Sequence, residues 1–128
     1  MRAAARGIAA LGIRADVLLT SPLIRCRQTA EIVGERLGLS PREDRRLAPG
    51  MDVDGLEDAL MAHPGAGAVM VCGHEPDLSE VVADLTGGGV VDFRKGSLAL
   101  LDVDAVRPRG GRLRALYPPS ALRRLGAS

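Results

Sequence analysis

The chain has 128 residues, of which 46% are hydrophobic and 26% charged, with a formal net charge of +1. That length fits one domain over residues 1–128, because a second could not hold its own core. So small a charge creates no field for nucleic acid or an anionic membrane, and no apolar run approaches the ~20 residues of a membrane helix; neither partner is expected, and the cytoplasm is the expected location.

Phe93 and Tyr117 are the only aromatic residues, so the core must be built from Leu, Val, Ile and Ala. Residues 1–11 are helix-prone, with Ala4, Ile8 and Leu11 on one face. No cap precedes them, and the pattern reads as the tail of a longer helix. Val17-Leu18-Leu19 reads as a short buried strand, closed by Thr20-Ser21-Pro22. Ser21 suits a helix N-cap and Pro22 a first helical position. The helix that follows carries Leu23, Cys26, Ala30, Val33 and Leu37 as a single stripe, and Gly38 stops it.

Residues 42–47 predict a short strand, and Ala48-Pro49-Gly50 a turn. Val53, Leu56, Ala59 and Leu60 predict a second helix, ending near His63-Pro64-Gly65. Ala68 to Cys72 is a continuous apolar run, as expected of a strand covered on both faces. Gly73-His74-Glu75-Pro76 then turns into a helix bearing Leu78, Val81, Val82 and Leu85, ended by Gly87-Gly88-Gly89. Strands at 97–103 and 112–117 close the pattern as an antiparallel pair, and the Arg123-Arg124 tail reads as a solvated end. The alternation predicts a three-layer α/β/α fold with a mostly parallel sheet and helices on both faces.

Two junctions, Thr20-Ser21-Pro22 and Gly73-His74-Glu75-Pro76, each lead from a buried strand to a helix opened by proline. In a parallel sheet both lie at the carboxyl edge, where open α/β folds bind ligands, and both present helix N-termini that favour an anion. Arg25 follows the first junction and His74 lies in the second, so a guanidinium and an imidazole can converge on a phosphate. Taken singly, Arg25 reads as a solvated helix-surface residue, His74 as a turn histidine and Ser21 as a cap first and a phosphate contact second. Cys26 and Cys72 read as reduced core thiols, and Cys72 with His74 supplies too few ligands for a metal.

The segment Ser21 to Ala30, with Arg25 inside it, resembles the second signature of the histidine phosphatase (phosphoglycerate-mutase-like) superfamily. Gly73-His74-Glu75-Pro76-Asp77-Leu78-Ser79 resembles that superfamily's second-histidine signature. The small SixA-type phosphohistidine phosphatases match best, also at Lys95-Gly96-Ser97-Leu98-Ala99-Leu100 and Leu116-Tyr117-Pro118-Pro119. The resemblance implies that Arg25 clamps phosphoryl oxygens, that His74 stabilises charge on the phosphoryl group, and that hydrolysis needs no metal or other cofactor. It implies as substrate a phosphorylated protein, carrying phosphohistidine, or a small phosphorylated compound.

The superfamily's nucleophile is another histidine, in an Arg-His-Gly motif at the end of a first strand, and these 128 residues contain no such motif. His63, the only other histidine, falls at the end of a different helix. Near Leu47-Ala48-Pro49 there is no convincing carboxylate to protonate a leaving group, a feature that SixA-type members also lack. The expectations are a domain without the family's first strand, little or no turnover, and a recorded start too far downstream. A non-catalytic phosphate-binding or interaction module and a ligand-free structural fragment are the alternatives. Loss of a central strand further implies self-association through an exposed sheet edge.

Overall fold

The computed structural model describes residues 1–127. Its parallel sheet is built on β1 (Val17–Thr20), flanked by β2 (Arg42–Glu43) and β3 (Val69–Cys72), in the order β2-β1-β3. The register pairs Leu19 with Arg42, Val17 with Val69 and Thr20 with Cys72. Alternation along these short strands sends side chains to two apolar faces. Val17, Leu19, Val69 and Val71 pack with Leu56, Ala59, Val81 and Leu85 of α3 (Val53–Met61) and α4 (Asp77–Leu85). Met70 joins the opposite cluster of Ala4, Ala5, Ile8, Val33 and Leu122, from α1 (Arg2–Ala10), α2 (Ile24–Leu37) and α5 (Pro119–Gly126). Helices therefore cover both faces, as the alternation predicts.

β4 (Leu98–Val103) and β5 (Gly111–Tyr117) form an antiparallel hairpin with a register shift between Leu100 and Leu101. Leu101 packs with the α3–α4 cluster and Leu98 and Tyr117 with the other, so the hairpin occupies the middle layer. Among the described residues it makes no ladder with β3, whose one bonded neighbour there is β1.

The strand expected over 42–47 ends at Glu43 for a local reason. Asp44 accepts the Arg46 N–H at 2.9 Å and turns the chain into a 3-10 helix over Arg45–Leu47, a side-chain bond that competes with the ladder. The Arg46 guanidinium donates to both oxygens of the same carboxylate, at 2.9 and 2.8 Å.

The C-terminal segment adds an element that the sequence reading does not contain, a helix over Pro119–Gly126, in which Arg123 and Arg124 are exposed as expected. Leu122 is 1% exposed and seals the gap between α1 and α5. The two helices cross at glycines: a Cβ at Gly7 would overlap the Leu122 carbonyl, and one at Gly126 the Ala3 carbonyl. Arg6 adds a hydrogen bond to the Gly126 carbonyl at 2.8 Å.

Candidate functional site

Parallel pairing of β1 with β3 brings the two strand-to-helix junctions side by side. Thr20 and Cys72 are partners in the register, and the Ser21 N–H donates to the Cys72 carbonyl at 2.9 Å. Both connections thus leave the same carboxyl edge.

In the first junction Ser21 is fully buried and its hydroxyl is already engaged. Its oxygen accepts the Leu23 N–H at 3.3 Å, and it hydrogen-bonds the Cys26 thiol. This turn holds Leu23 extended as the N-cap, so α2 starts at Ile24, later than the expected Pro22. No acidic residue lies in the first turn of α2. The N–H groups there have no partner within the helix, so this end carries an undiminished positive field. Arg25 is exposed, and the ion pairs of the described residues do not include it. Its neighbour Arg27 pairs with Glu43 at 3.5 Å.

The second junction is organised differently. His74 Nδ1 lies 3.1 Å from Asp77 Oδ2, and the same oxygen accepts the Gly50 N–H at 2.8 Å. Asp77 is 8% exposed, and His74 Nε2 is inaccessible to solvent with no hydrogen-bond partner. Glu75 accepts the Ser79 N–H at 2.9 Å and so caps α4 from outside. Glu75 and Asp77 together place carboxylates at the start of α4, which therefore does not offer an anion the open N-terminus that α2 does.

The two thiols lie below these junctions. Burial, reinforced by the nearby Cys26, pushes the Cys72 thiol up to about 12. Burial also raises that of Cys26, against a hydrogen bond from Ser21. Both stay protonated at neutral pH, so neither is an activated nucleophile. Among the described residues no group of three His, Cys, Asp or Glu side chains is placed to hold a metal ion.

A hollow of about 330 Å³ lies in the hairpin, lined by Asp102, Asp104, Arg109 and Arg112, and another of about 110 Å³ beside β2, lined by Thr20, Arg27, Glu31 and Glu43. Neither is lined by Arg25 or His74.

Of the residues expected at the site, the fold sets the junctions of Arg25 and His74 on one edge and buries Ser21 between them. It adds Asp77, which lies inside the second-histidine segment and three residues from His74 but to which the sequence reading assigns no role. Ser97 Oγ, at the start of β4, is a second buried polar atom without a partner.

A parallel sheet between two helical layers, with paired strand–helix junctions at its carboxyl edge, defines an open α/β chain of the kind that binds ligands at that edge. The chain is similar to the histidine phosphatase superfamily, whose branch 1 model matches residues 1–49. The solved structure of the protein histidine phosphatase SixA complexed with tungstate superposes with a TM-score of 0.81 at 28% identity, covering 94% of this chain and 80% of that one. The putative phosphohistidine phosphatase SixA from Agrobacterium tumefaciens gives a TM-score of 0.66 at 23% identity, over 92% of this chain and 79% of that one. A mycobacterial glucosyl-3-phosphoglycerate phosphatase gives 0.59 at 18%, over 89% and 83%. These last two likenesses concern the fold alone. An uncharacterized protein of Picosynechococcus sp. is 42% identical over 103 residues, which are 68% of this chain and 61% of that relative's length.

Proposed function

We propose that this chain is a SixA-like phosphatase domain in which Arg25 and His74 hold the phosphoryl group of a phosphohistidine or phosphomonoester. The observation that carries the reading is the hydrogen bond from Ser21 N–H to the Cys72 carbonyl, which ties the two junctions together at one sheet edge. Arg25 sits in the first turn of α2, where main-chain N–H groups and the guanidinium reinforce one another toward an anion. His74 adds a buried nitrogen without a partner, a cost that a phosphoryl oxygen in contact would relieve. In-line attack needs a nucleophile besides these holders. The 128 residues contain no Arg-His-Gly motif, and both thiols are held protonated, so turnover by this chain is low or absent.

That absence of an attacker favours a second reading, a non-catalytic phosphate-binding module. One experiment separates them. The purified chain is titrated with orthophosphate and tungstate by calorimetry, and assayed for hydrolysis of p-nitrophenyl phosphate and a phosphohistidine peptide. Anion binding that weakens roughly 10- to 150-fold in Arg25→Ala, the worth of a charge-assisted hydrogen bond, supports the holding role. Binding without turnover favours the second reading and turnover the first; no binding overturns both.

A cytoplasmic location belongs to the same proposal; among the described residues no helix is long and apolar enough to cross a membrane. Self-association belongs to it as well, since among the described residues β3 has no bonded neighbour beyond β1 and such an edge templates strand pairing. A monomeric mass by light scattering at all accessible concentrations would remove that part.

A further inference from the structure

We infer that Asp77 is a positioning residue: it fixes the proton of His74 on Nδ1 and so makes Nε2 the atom presented to a phosphoryl group. The inference deepens the proposed phosphate-holding role of His74 and rests on it for its function, though not for its geometry.

Asp77 Oδ2 lies 3.1 Å from His74 Nδ1 and accepts the Gly50 N–H at 2.8 Å, and the residue is 8% exposed. An ionised carboxylate can only accept hydrogen bonds, so the imidazole nitrogen facing it must carry a hydrogen. The Gly50 N–H fixes the carboxylate from the other side. Asp77 is thus held between the turn that follows the 3-10 helix and the first turn of α4, and swinging away would give up both the Gly50 N–H and the His74 contact.

The consequence falls on Nε2, which is shielded from solvent and has no partner. With the Nδ1 hydrogen committed to Asp77, Nε2 is the ring nitrogen left to meet a ligand. That nitrogen donates to a phosphoryl oxygen when protonated and accepts from a P–OH group when it is not. Orientation of a ring nitrogen by the hydrogen bond of the other is a general device in histidine sites. The Oδ2 atom serves both donors, so an asparagine oxygen in its place retains both bonds, whereas alanine removes them.

Long-range proton–nitrogen NMR of the imidazoles reads the tautomer directly, with His63 as the internal comparison. For the neutral ring of His74 the expected spectrum is the Nδ1–H form in the native chain and in Asp77→Asn. In Asp77→Ala the Nε2–H form, which free histidine prefers, should become the major one. Tungstate affinity should fall about 2- to 10-fold in Asp77→Ala, the worth of one ordinary hydrogen bond, and return in Asp77→Asn. A neutral Nε2–H form in the native chain overturns the inference without reference to any variant, which covers the case in which Asp77→Ala does not fold. An unchanged tautomer in a folded Asp77→Ala also overturns it. If the native chain shows the Nδ1–H form but binds no tungstate, Asp77 stands as a positioning residue and the phosphate-holding reading falls.

Discussion

Replacing Leu122 by alanine tests the packing of the C-terminal helix, an element absent from the sequence reading. The side chain is 1% exposed and closes the cluster formed by Ala4, Ala5, Ile8 and Val33. Three buried carbons at about 0.8 kcal/mol each give a transfer loss near 2.4 kcal/mol. The cavity left between α1 and α5 adds to this, for a total of about 3 kcal/mol. Helices crossing at Gly7 and Gly126 have little freedom to collapse into that space, because their backbones already touch. For a chain of this size the loss corresponds to a fall in Tm of roughly 10–15 °C. Urea unfolding followed by circular dichroism measures it, with Arg123→Ala as the control, since that exposed side chain should change stability by no more than about 0.5 kcal/mol. A loss below about 1 kcal/mol in Leu122→Ala would mean that α5 is not seated on α1, and the packing argument would fail.

Further expectations concern other parts of the molecule. Gly7→Ala should destabilise by more than the helix-propensity gain of alanine can offset, because its Cβ meets the Leu122 carbonyl; a Tm at or above that of the parent chain would contradict the close crossing. Neither cysteine should react rapidly with a disulfide reagent at pH 8 in the folded chain, with burial holding the Cys72 thiol near 12 and raising that of Cys26, whereas both should react in denaturant. Asp44 has its carboxyl held below the usual range, first by the Arg46 side-chain hydrogen bond. Its contribution to stability is therefore fully present above its unfolded value of about 3.9 and is lost as pH falls through the lower folded value. Asp44→Asn should flatten this acid limb of the stability curve, and an unchanged acid limb would refute the assignment.

Periodicity made most of the fold legible. Val17-Leu18-Leu19 and the run from Ala68 to Cys72 are apolar because helices cover both sheet faces, and the stripe Cys26, Ala30, Val33 is the buried face of α2. The failures have local causes. The expected strand over 42–47 gave way to a side-chain turn at Asp44, which propensity along the chain does not weigh. The helix over 119–126 follows Pro118-Pro119 and holds one large buried residue, Leu122, among arginines, so its apolar face is too narrow to register as a stripe. At the site, Arg25 and His74 were legible from their junctions. Asp77 was not, because an acidic residue in a first helical turn is already accounted for by the helix dipole. Only the approach of the Gly50 turn reveals that its carboxylate faces inward.

The central claim is that one anion engages both junctions at once, and a single tungstate titration of the chain followed by NMR tests it. The account predicts that the main-chain amide of Arg25 and the imidazole of His74 shift together along one binding curve, with His63 unmoved. Shifts at only one of the two junctions, or two curves with different affinities, would contradict it.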